Sequence, residues 1–359
     1  MLDTSFVLEI VPAVAPISFR RTTYLTPFVP TRVWLMLVTQ GGRADLLVAS
    51  DHPGGVGSVS VYAGVGDGTF IEHSHHGFPG TINELEATDF DQDGELELVV
   101  ALGGTEPGIS VQELAGTSGW VMRGSIAKSV DLADVTADGL PDLLAWIYAP
   151  DGARLVVLHH LGGSGFEEVR EYPLAGGVGA LAVVDIGGDG DIDVVAASQP
   201  DPFGRFSVRL EALINDGTGE LRSSGVQEVS TRRGIHSLFL ADINGDRNLD
   251  ALIGGTTVRI ALGDGLGNFA AATEHLTRRA GVAVPAMLND DLWQDIVTLD
   301  AESVTVMINY GVSRNFNPRY SYSVANPGAL AIGVLNGNGR ADLVVASGVS
   351  RSLEVWISE

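Results

Sequence analysis

The chain has 359 residues, including 46 glycines and no cysteine, and its formal net charge is −24 at pH 7. This charge argues against a nucleic-acid backbone or an anionic membrane surface as a partner. The lack of cysteine excludes disulfides and thiolate chemistry. No run of about 18 apolar residues is present, so no membrane span is predicted. Hydrophobic residues make up 45% of the chain, which is enough for a packed core.

A nine-residue acidic loop recurs along the chain, and each copy runs into a short apolar strand. The clearest copy spans residues 89–97 and is followed by Leu98-Val99-Val100-Ala101. Three further copies span residues 134–142, 185–193 and 242–250. When the copies are aligned on their ninth position, three degenerate copies join the series. The ninth positions are then Asp45, Glu97, Asp142, Asp193, Asp250, Asp295 and Asp342.

The residues that follow each loop predict strands. A β-branched apolar run comes first, an alternating strand such as residues 59–62 comes next, and a Gly-rich turn such as residues 66–70 follows. Four antiparallel strands repeated every 45–50 residues or so are typical of a β-propeller blade. The sequence therefore predicts one all-β domain over residues 1–359, a seven-bladed propeller of four-stranded antiparallel blades. The predicted blades span about residues 31–75, 82–125, 127–173, 178–229, 235–276, 280–322 and 327–359.

The seventh blade lacks one strand, because the chain ends two strands after Asp342. An apolar stretch at residues 5–10 has no loop before it. We expect residues 4–11 to supply the outer strand of blade seven, which would close the ring and cover an exposed edge. The Pro-rich segment 12–30 is then the connection to blade one. The alternative is that the N-terminal residues are a frayed tail.

The repeated motif resembles a known family. Asp-x-Asp/Asn-x-Asp-Gly-x-x-Asp-Leu-Val-Val-Ala, followed by Gly-Asp-Gly-x-Gly-x-Phe, is similar to the FG-GAP/VCBS repeats of integrin-α-like propellers, from about residue 31 to residue 359. The resemblance implies a seven-bladed propeller that holds Ca²⁺ in hairpin loops on one face. It also implies a protein or glycan ligand, since some members are lectins and others are modules of carbohydrate-active enzymes.

The resemblance implies about four structural Ca²⁺ ions, and oxygen ligands in tight acidic loops suit this cation. Loop positions one, three, five and nine would supply side chains, and position seven a carbonyl. The implied ligands are Asp89, Asp91, Asp93, Glu95 and Glu97; Asp134, Thr136, Asp138, Leu140 and Asp142; Asp185, Asp189, Asp191 and Asp193; and Asp242, Asn244, Asp246, Asn248 and Asp250. Solvated acidic turns without metal remain the alternative.

Two observations limit this assignment. An EF-hand would need a bidentate Glu at position twelve, where this chain has Val100, Ala145, Ala196 and Ile253. In blades one, six and seven, position one is Leu37, Met287 and Val334, so we predict no ion there. Their ninth residues, Asp45, Asp295 and Asp342, are predicted to accept backbone N–H bonds instead.

Candidate catalytic residues are few. His73, His75 and His76 could ligate a transition metal or could be exposed polar residues at a strand end. No nucleophile elbow, P-loop or zinc-protease motif is present. Glycosidase-type carboxylate pairs remain open, because the chain is rich in acids. The five tryptophans lie mostly at strand positions and are expected in the core. We expect that the protein is not an enzyme.

The favoured reading is a calcium-binding, non-catalytic recognition or adhesion propeller that binds a glycan or a protein through the loops opposite the acidic turns. The candidate loops are residues 51–55, 105–107, 149–151, 199–203 and 277–279. The alternatives are a scaffold subunit of a larger assembly, or an accessory module or enzyme acting on polysaccharide. Because weak calcium loops fill at millimolar Ca²⁺, an extracellular or periplasmic location is expected. Residues 1–5 lack a basic segment, so an export signal would have been removed.

Overall fold

The protein folds into seven four-stranded antiparallel sheets, which confirms the predicted seven-bladed β-propeller. The computed structural model describes residues 17–359 except 40, 91, 115, 117, 150–151, 163–164, 175–176, 200–206, 231–233, 276–280, 312–315 and 317–318. These described residues form 28 strands. Nothing helical among them has the length and apolarity needed to cross a bilayer.

The strands follow one another within each blade, from the innermost to the outermost. Blades one to three consist of β2 (Pro30–Met36), β3 (Asp45–His52), β4 (Val56–Gly64), β5 (Phe70–Phe78); β6 (Thr81–Thr88), β7 (Glu97–Gly103), β8 (Gly108–Glu113), β9 (Ser118–Arg123); and β10 (Ile126–Ala133), β11 (Asp142–Ala149), β12 (Gly152–His160), β13 (Phe166–Pro173). Blades four and five consist of β14 (Gly177–Val184), β15 (Asp193–Gln199), β16 (Val208–Asn215), β17 (Leu221–Ser230); and β18 (Ser237–Ala241), β19 (Asp250–Gly254), β20 (Val258–Ala261), β21 (Thr273–His275). Blades six and seven consist of β22 (Val282–Ala286), β23 (Asp295–Leu299), β24 (Ser303–Met307), β25 (Arg319–Ser323); and β26 (Pro327–Gly333), β27 (Asp342–Ser347), β28 (Ser352–Ser358), β1 (Phe19–Leu25).

The hydrophobic core lies between the blades. Seven clusters of buried side chains join each blade to the next around the ring. Between blades one and two, for example, Leu47 and Val59 pack against Leu85 and Leu98. The second strand of every blade is therefore covered on both faces. This explains why its sequence reads as a continuous apolar run rather than as an alternating one.

The ring is closed by β1, which pairs antiparallel with β28 from Phe19 opposite Ser358 to Leu25 opposite Ser352. Closure by an N-terminal strand is thus confirmed, but its predicted position was wrong. Residues 4–11 lie outside the described part of the chain, and the strand falls instead within the Pro-rich segment. The reason is visible in the sequence, since the stretch between Pro16 and Pro27 contains no proline and includes the strand-forming residues Phe19, Thr22, Thr23 and Tyr24.

β1 is held to blade seven by aromatic contacts. The ring of Phe19 lies 5.4 Å from that of Tyr322 and 5.6 Å from that of Trp356, measured between centroids. The guanidinium of Arg21 lies 3.7 Å from the centre of the Trp356 ring, a cation–π contact. These contacts and the strand pairing cover an edge of β28 that would otherwise be free to pair with another chain.

We expect Phe19→Ala to lower the free energy of unfolding by about 1–3 kcal/mol, because it removes a half-buried aromatic side chain from the closing strand. Leu25→Ala is the control, since Leu25 lies on the same strand but is 84% exposed. This variant should change stability by less than about 0.5 kcal/mol. Chemical denaturation of both variants measures the difference. Equal effects would contradict closure through Phe19.

Candidate functional site

A buried carboxylate stands at the ninth position of every loop. Each of these seven carboxylates accepts a hydrogen bond from the backbone N–H of the second loop residue, at 2.7 to 3.4 Å. The six aspartates also accept a backbone N–H from the end of the third strand, at 2.8 to 3.0 Å. The prediction for Asp45, Asp295 and Asp342 is confirmed. The same role extends to Asp142, Asp193 and Asp250, which were predicted as calcium ligands.

The four acidic loops share one backbone conformation. The fourth residue has a left-handed φ in each loop, at Gln92 (62°), Ala137 (57°), Gly188 (70°) and Gly245 (78°). The sixth residue does so as well, and Arg247 at φ 73° occupies the position where the other three loops have glycine. Blade seven has the same pattern at Gly337 and Gly339 although it lacks the acidic residues. Blade six departs from this pattern, since neither Asp290 nor Leu292 has a left-handed φ. The turn is thus shared by blades two to five and blade seven, and only blades two to five carry the acidic set.

The first and fifth loop positions bond to the turn itself. Asp134 accepts the N–H groups of Asp138 and Gly139 at 3.0 and 2.8 Å, and Asp89, Asp185 and Asp242 accept equivalent bonds. The fifth-position carboxylates accept the N–H of the seventh residue at 2.8 to 3.1 Å. These pairs are Asp93 with Glu95, Asp138 with Leu140, Asp189 with Asp191, and Asp246 with Asn248.

The third position differs from loop to loop. Asp91 lies outside the described residues. The hydroxyl of Thr136 donates to Asp142 at 3.1 Å, just as Thr39 donates to Asp45 in the degenerate loop of blade one. The side-chain amide of Asn244 donates to Asp246 at 2.9 Å. The third residue therefore supports the turn in blades three and five.

The four acidic loops carry oxygen donors that a cation could use. Among the described residues, no group of three or more His, Asp or Glu side chains is arranged to hold a metal ion. In blade two, however, Oδ1 of Asp89 is buried and has no hydrogen-bond partner in the described part of the chain. Burial and the nearby Asp246 and Asp242 carboxylates raise the pKa of Asp250 to about 6. The donor set suits a hard cation, provided that the carboxylates turn from their N–H partners toward it.

A cavity of about 640 Å³ lies at the other end of the ring, where the seven inner strands begin. We call it the channel cavity, because every inner strand contributes to its wall. The lining residues are Thr31, Arg32, Val33, Trp34, Asn83, Glu84, Lys128, Ser129, Trp146, Gly179, Ala180, Leu181, His236, Ser237, Leu238, Phe239, Val282, Gly328, Ala329 and Leu330. Since each inner strand starts here and runs into a loop before the second strand, the cavity lies opposite the acidic loops.

β-Bulges shape the channel cavity. Five of the seven inner strands shift register against the second strand near their first residues, in β2, β6, β10, β14 and β26. The residues at these shifts include Thr31, Asn83, Lys128, Gly179 and Gly328, and all five line the cavity. A bulge bends its strand and re-aims the side chain. The wall of the cavity is therefore built by the same irregularity repeated at one level of the ring.

The wall has a charged side and an apolar side. Blades one to three contribute Arg32, Glu84 and Lys128, and Lys128 is the single lysine of the chain. Trp34 Nε1 donates to Glu84 Oε1 at 2.5 Å. Blades four to seven contribute mainly apolar groups such as Phe239 and Leu330.

Three carboxylates on two neighbouring inner strands have perturbed acidity. Burial raises the pKa of Glu84, whose hydrogen bond from Trp34 opposes the shift. Burial and the nearby Asp131 and Glu84 raise the pKa of Glu86 to about 8. Burial and Glu84 raise the pKa of Asp131 to about 7. Glu86 and Asp131, which lie on the inner strands beyond the residues that line the channel cavity, are thus partly protonated at neutral pH.

Sequence reasoning missed the channel cavity. A usable signal was present, since Glu84 and Glu86 on β6 and Lys128 and Asp131 on β10 are charged residues on inner strands. Trp146 and Trp356 are buried, as the sequence predicted. Trp34 is only half buried and lines the cavity.

Two histidines of the predicted cluster, His75 and His76, have different surroundings on β5. His75 bonds to Ser60 at 3.0 Å, whereas His76 is buried, bonds to Ser74 at 2.9 Å and has a pKa lowered by burial. Successive side chains of a strand point to opposite faces, so these two rings diverge. On β12, His160 stacks on Phe90 with ring centroids 4.1 Å apart, and His159 contacts Asp138 at 3.0 Å.

Some of the predicted ligand loops can be placed. Thr105 donates from its hydroxyl to the carbonyls of Gly55 and Pro79, which ties the loops of blades one and two together. Asp51 accepts the N–H of Ile82 at 3.3 Å. Residues 150–151, 200–203 and 277–279 lie outside the described part of the chain.

The ring of seven blades with repeated acidic turns defines a class of repeat propeller, and comparison gives its family. The model of the FG-GAP-like repeat matches residues 39–100, 134–196 and 185–253, together about half of the chain. The chain therefore belongs to the FG-GAP-like repeat family. No curated protein sequence is detectably similar to it.

Solved structures with a similar fold have low sequence identity. A chain from the crystal structure of BBS1N in complex with ARL6DN, soaked with lead, is 13% identical, with a TM-score of 0.60 over 95% of this chain and 97% of that one. The corresponding chain from the mercury-soaked crystal is also 13% identical, with a TM-score of 0.62 over 96% of this chain and 98% of that one. An Agrocybe aegerita lectin that recognises non-reducing terminal N-acetylglucosamine is 16% identical, with a TM-score of 0.53 over 93% and 87%. At these identities the likeness shows the fold alone.

The raised pKa values of Glu86 and Asp131 predict how the stability of the fold depends on pH. The folded pKa values of Glu86 and Asp131, about 8 and about 7, lie above the ordinary values of 4.5 and 3.8. The folded state therefore binds more protons between these limits, and stability rises as pH falls from about 8 toward about 4.5. Glu86→Gln and Asp131→Asn should raise the melting temperature at about pH 9 more than at about pH 6. Glu302→Gln, which removes an exposed charge outside the channel, is the control. A gain that does not depend on pH would contradict this prediction.

Proposed function

We propose that the protein is a non-catalytic ligand-binding propeller whose ligand, a glycan or a partner protein, binds in the channel cavity. The observation that carries this proposal is the cavity of about 640 Å³ at the start of the inner strands, with five bulged residues in its wall. Ligand sites are typically concave and occupy about 300–1,000 Å³. Their walls combine apolar surface with a few convergent polar groups, as Phe239, Leu330, Arg32 and Lys128 do here.

The similar structures are consistent with a ligand-binding function but do not identify the ligand. One is a chain of a complex between two proteins, BBS1N and ARL6DN, and another is a lectin that recognises terminal N-acetylglucosamine. The same scaffold can serve unrelated ligands, because function depends on the site and not on the fold. Both ligand classes therefore belong in the first test.

We also propose that blades two to five hold structural Ca²⁺ through the loop residues named above. The support is the acidic set on a shared turn and the buried Oδ1 of Asp89, which has no hydrogen-bond partner among the described residues. The ion would offset the repulsion among carboxylates that share one turn. Such weak sites suit an extracellular or periplasmic location, where Ca²⁺ is abundant.

Ligand binding can be tested with a matched pair of phenylalanines. Phe239 is 36% exposed and lines the cavity, whereas Phe28 is 37% exposed and lies outside it. The wild type is first screened on a glycan array and against a panel of candidate partner proteins, and the ligand found is titrated. Phe239→Ala should weaken binding at least about tenfold, or about 1.4 kcal/mol, and Phe28→Ala should not. The proposal would be refuted if the two variants bound the ligand with equal affinity, or if neither screen found a ligand.

Calcium can be tested by melting the protein in Ca²⁺ and in chelator. The wild type should melt at a higher temperature in Ca²⁺, because a ligand that binds only the folded state stabilises it. Asp134→Asn should reduce this difference. Asp342→Asn should lower the melting temperature in both buffers without changing the difference, because Asp342 accepts backbone N–H bonds in a loop without the acidic set. Identical wild-type melts in both buffers would refute the calcium sites.

A further inference from the structure

Two donors in the wall of the channel cavity have no hydrogen-bond partner among the described residues. Oγ of Ser129 on β10 and Nε1 of Trp146 on β11 are both buried and make no hydrogen bond within the described part of the chain. Trp146 is only 1% exposed, and both residues line the cavity. They are direct neighbours across the two strands, since Ser129 pairs with Trp146 in the register.

An indole N–H can only donate, so it needs an acceptor from elsewhere. Leaving a buried donor without one costs about 1–3 kcal/mol. The bulge in β10 creates this pair, because the register shifts between Ala127 and Ser129. It also sets Lys128 beside Ser129 on the exposed wall. One wall of the cavity therefore presents a hydroxyl, an indole N–H and an ammonium group.

The other groups of the cavity indicate the charge of the ligand. Glu84 lines the cavity, and Asp131 lies two residues after Ser129 on the same face of β10. The Glu84 carboxylate in the wall, and Asp131 in its ionised form, disfavour an anion. Arg32 and Lys128 disfavour a cation. A neutral ligand that carries both acceptors and donors meets no like charge, and the apolar surface of Phe239 and Leu330 can cover its ring faces.

We propose that Ser129 and Trp146 are the ligand-positioning donors of the channel cavity, and that the ligand is a neutral glycan whose hydroxyl or carbonyl oxygen accepts both hydrogen bonds. This inference rests on the proposed ligand-binding function of the cavity. It adds the class of ligand and the two residues that position it.

The test follows the Trp146 indole directly. Protein labelled with ¹⁵N-tryptophan gives indole N–H signals in an NMR spectrum, and Trp146→Phe identifies the one from Trp146. The probes are glucose and N-acetylglucosamine as neutral sugars, glucuronate as an acidic sugar, and a short acidic peptide. A neutral sugar should shift the Trp146 signal. Ser129→Ala and Trp146→Phe should each weaken its binding about fivefold, the value of about one hydrogen bond. Trp120→Phe, on the outermost strand β9, should leave the affinity unchanged.

Each other outcome overturns the inference in a different way. A shift with glucuronate or the peptide but not with the neutral sugars refutes the glycan class and leaves the cavity as a binding site. Neutral-sugar binding that Ser129→Ala and Trp146→Phe do not weaken refutes the two donors alone. If a trapped water satisfies them, the substitutions change only the melting temperature, and the inference fails. If no probe shifts the Trp146 signal, the inference is refuted. The glycan array and the partner screen, with Phe239→Ala, then decide separately whether the cavity binds any ligand.

Discussion

The fold depends on one interaction repeated seven times, the buried ninth-position carboxylate that accepts backbone N–H groups. In six blades it joins the loop after the inner strand to the end of the third strand, as Asp342 joins Leu335 to Ser358. Hydrogen bonds to a charged group contribute about 1.5–3 kcal/mol each. A carboxylate in this place fixes the turn and the register of three strands at once. This explains why it persists in blades one, six and seven, which lack the acidic set.

The two ends of the ring differ in how regular their backbone is. At the loop end, five blades have left-handed residues at the same two loop positions, and the ninth-position carboxylate bonds to the turn in all seven. At the cavity end, the inner strands leave the regular ladder through bulges. Between these ends, the apolar second strands pack blade against blade. The regular part supplies stability, and the irregular part supplies the concave surface.

The sequence predicted the parts of the molecule that repeat. Ninth-position residues such as Asp45 and Asp342, the apolar second strands and the number of blades all follow from one period. The closing strand was misplaced because Phe19–Leu25 belongs to no repeat and is flanked by prolines. The charged residues of the inner strands were visible in the sequence, but the shape of the channel cavity was not, because Arg32, Lys128, Phe239 and Leu330 come from four blades and meet only when the ring closes. The pairing of Ser129 with Trp146 across β10 and β11 likewise depends on a bulge that the spacing of the repeat does not show.

The bulges also allow each inner strand to do two things, which are to pack against the neighbouring blades and to line the channel cavity. Because side chains alternate along a strand, a register shift resets which residues face the neighbouring blades and which face the axis. Beyond the shift, Leu85 and Val130 remain fixed in the inter-blade core, while Asn83 and Lys128 at the shifts face the channel. An exposed side chain at a shift, such as Lys128, can therefore exchange during evolution without disturbing the packing beneath it. Gly179 cannot, because an added Cβ would lie 2.0 Å from the carbonyl oxygen of Ala197. The scaffold can acquire a new specificity while its blades stay the same.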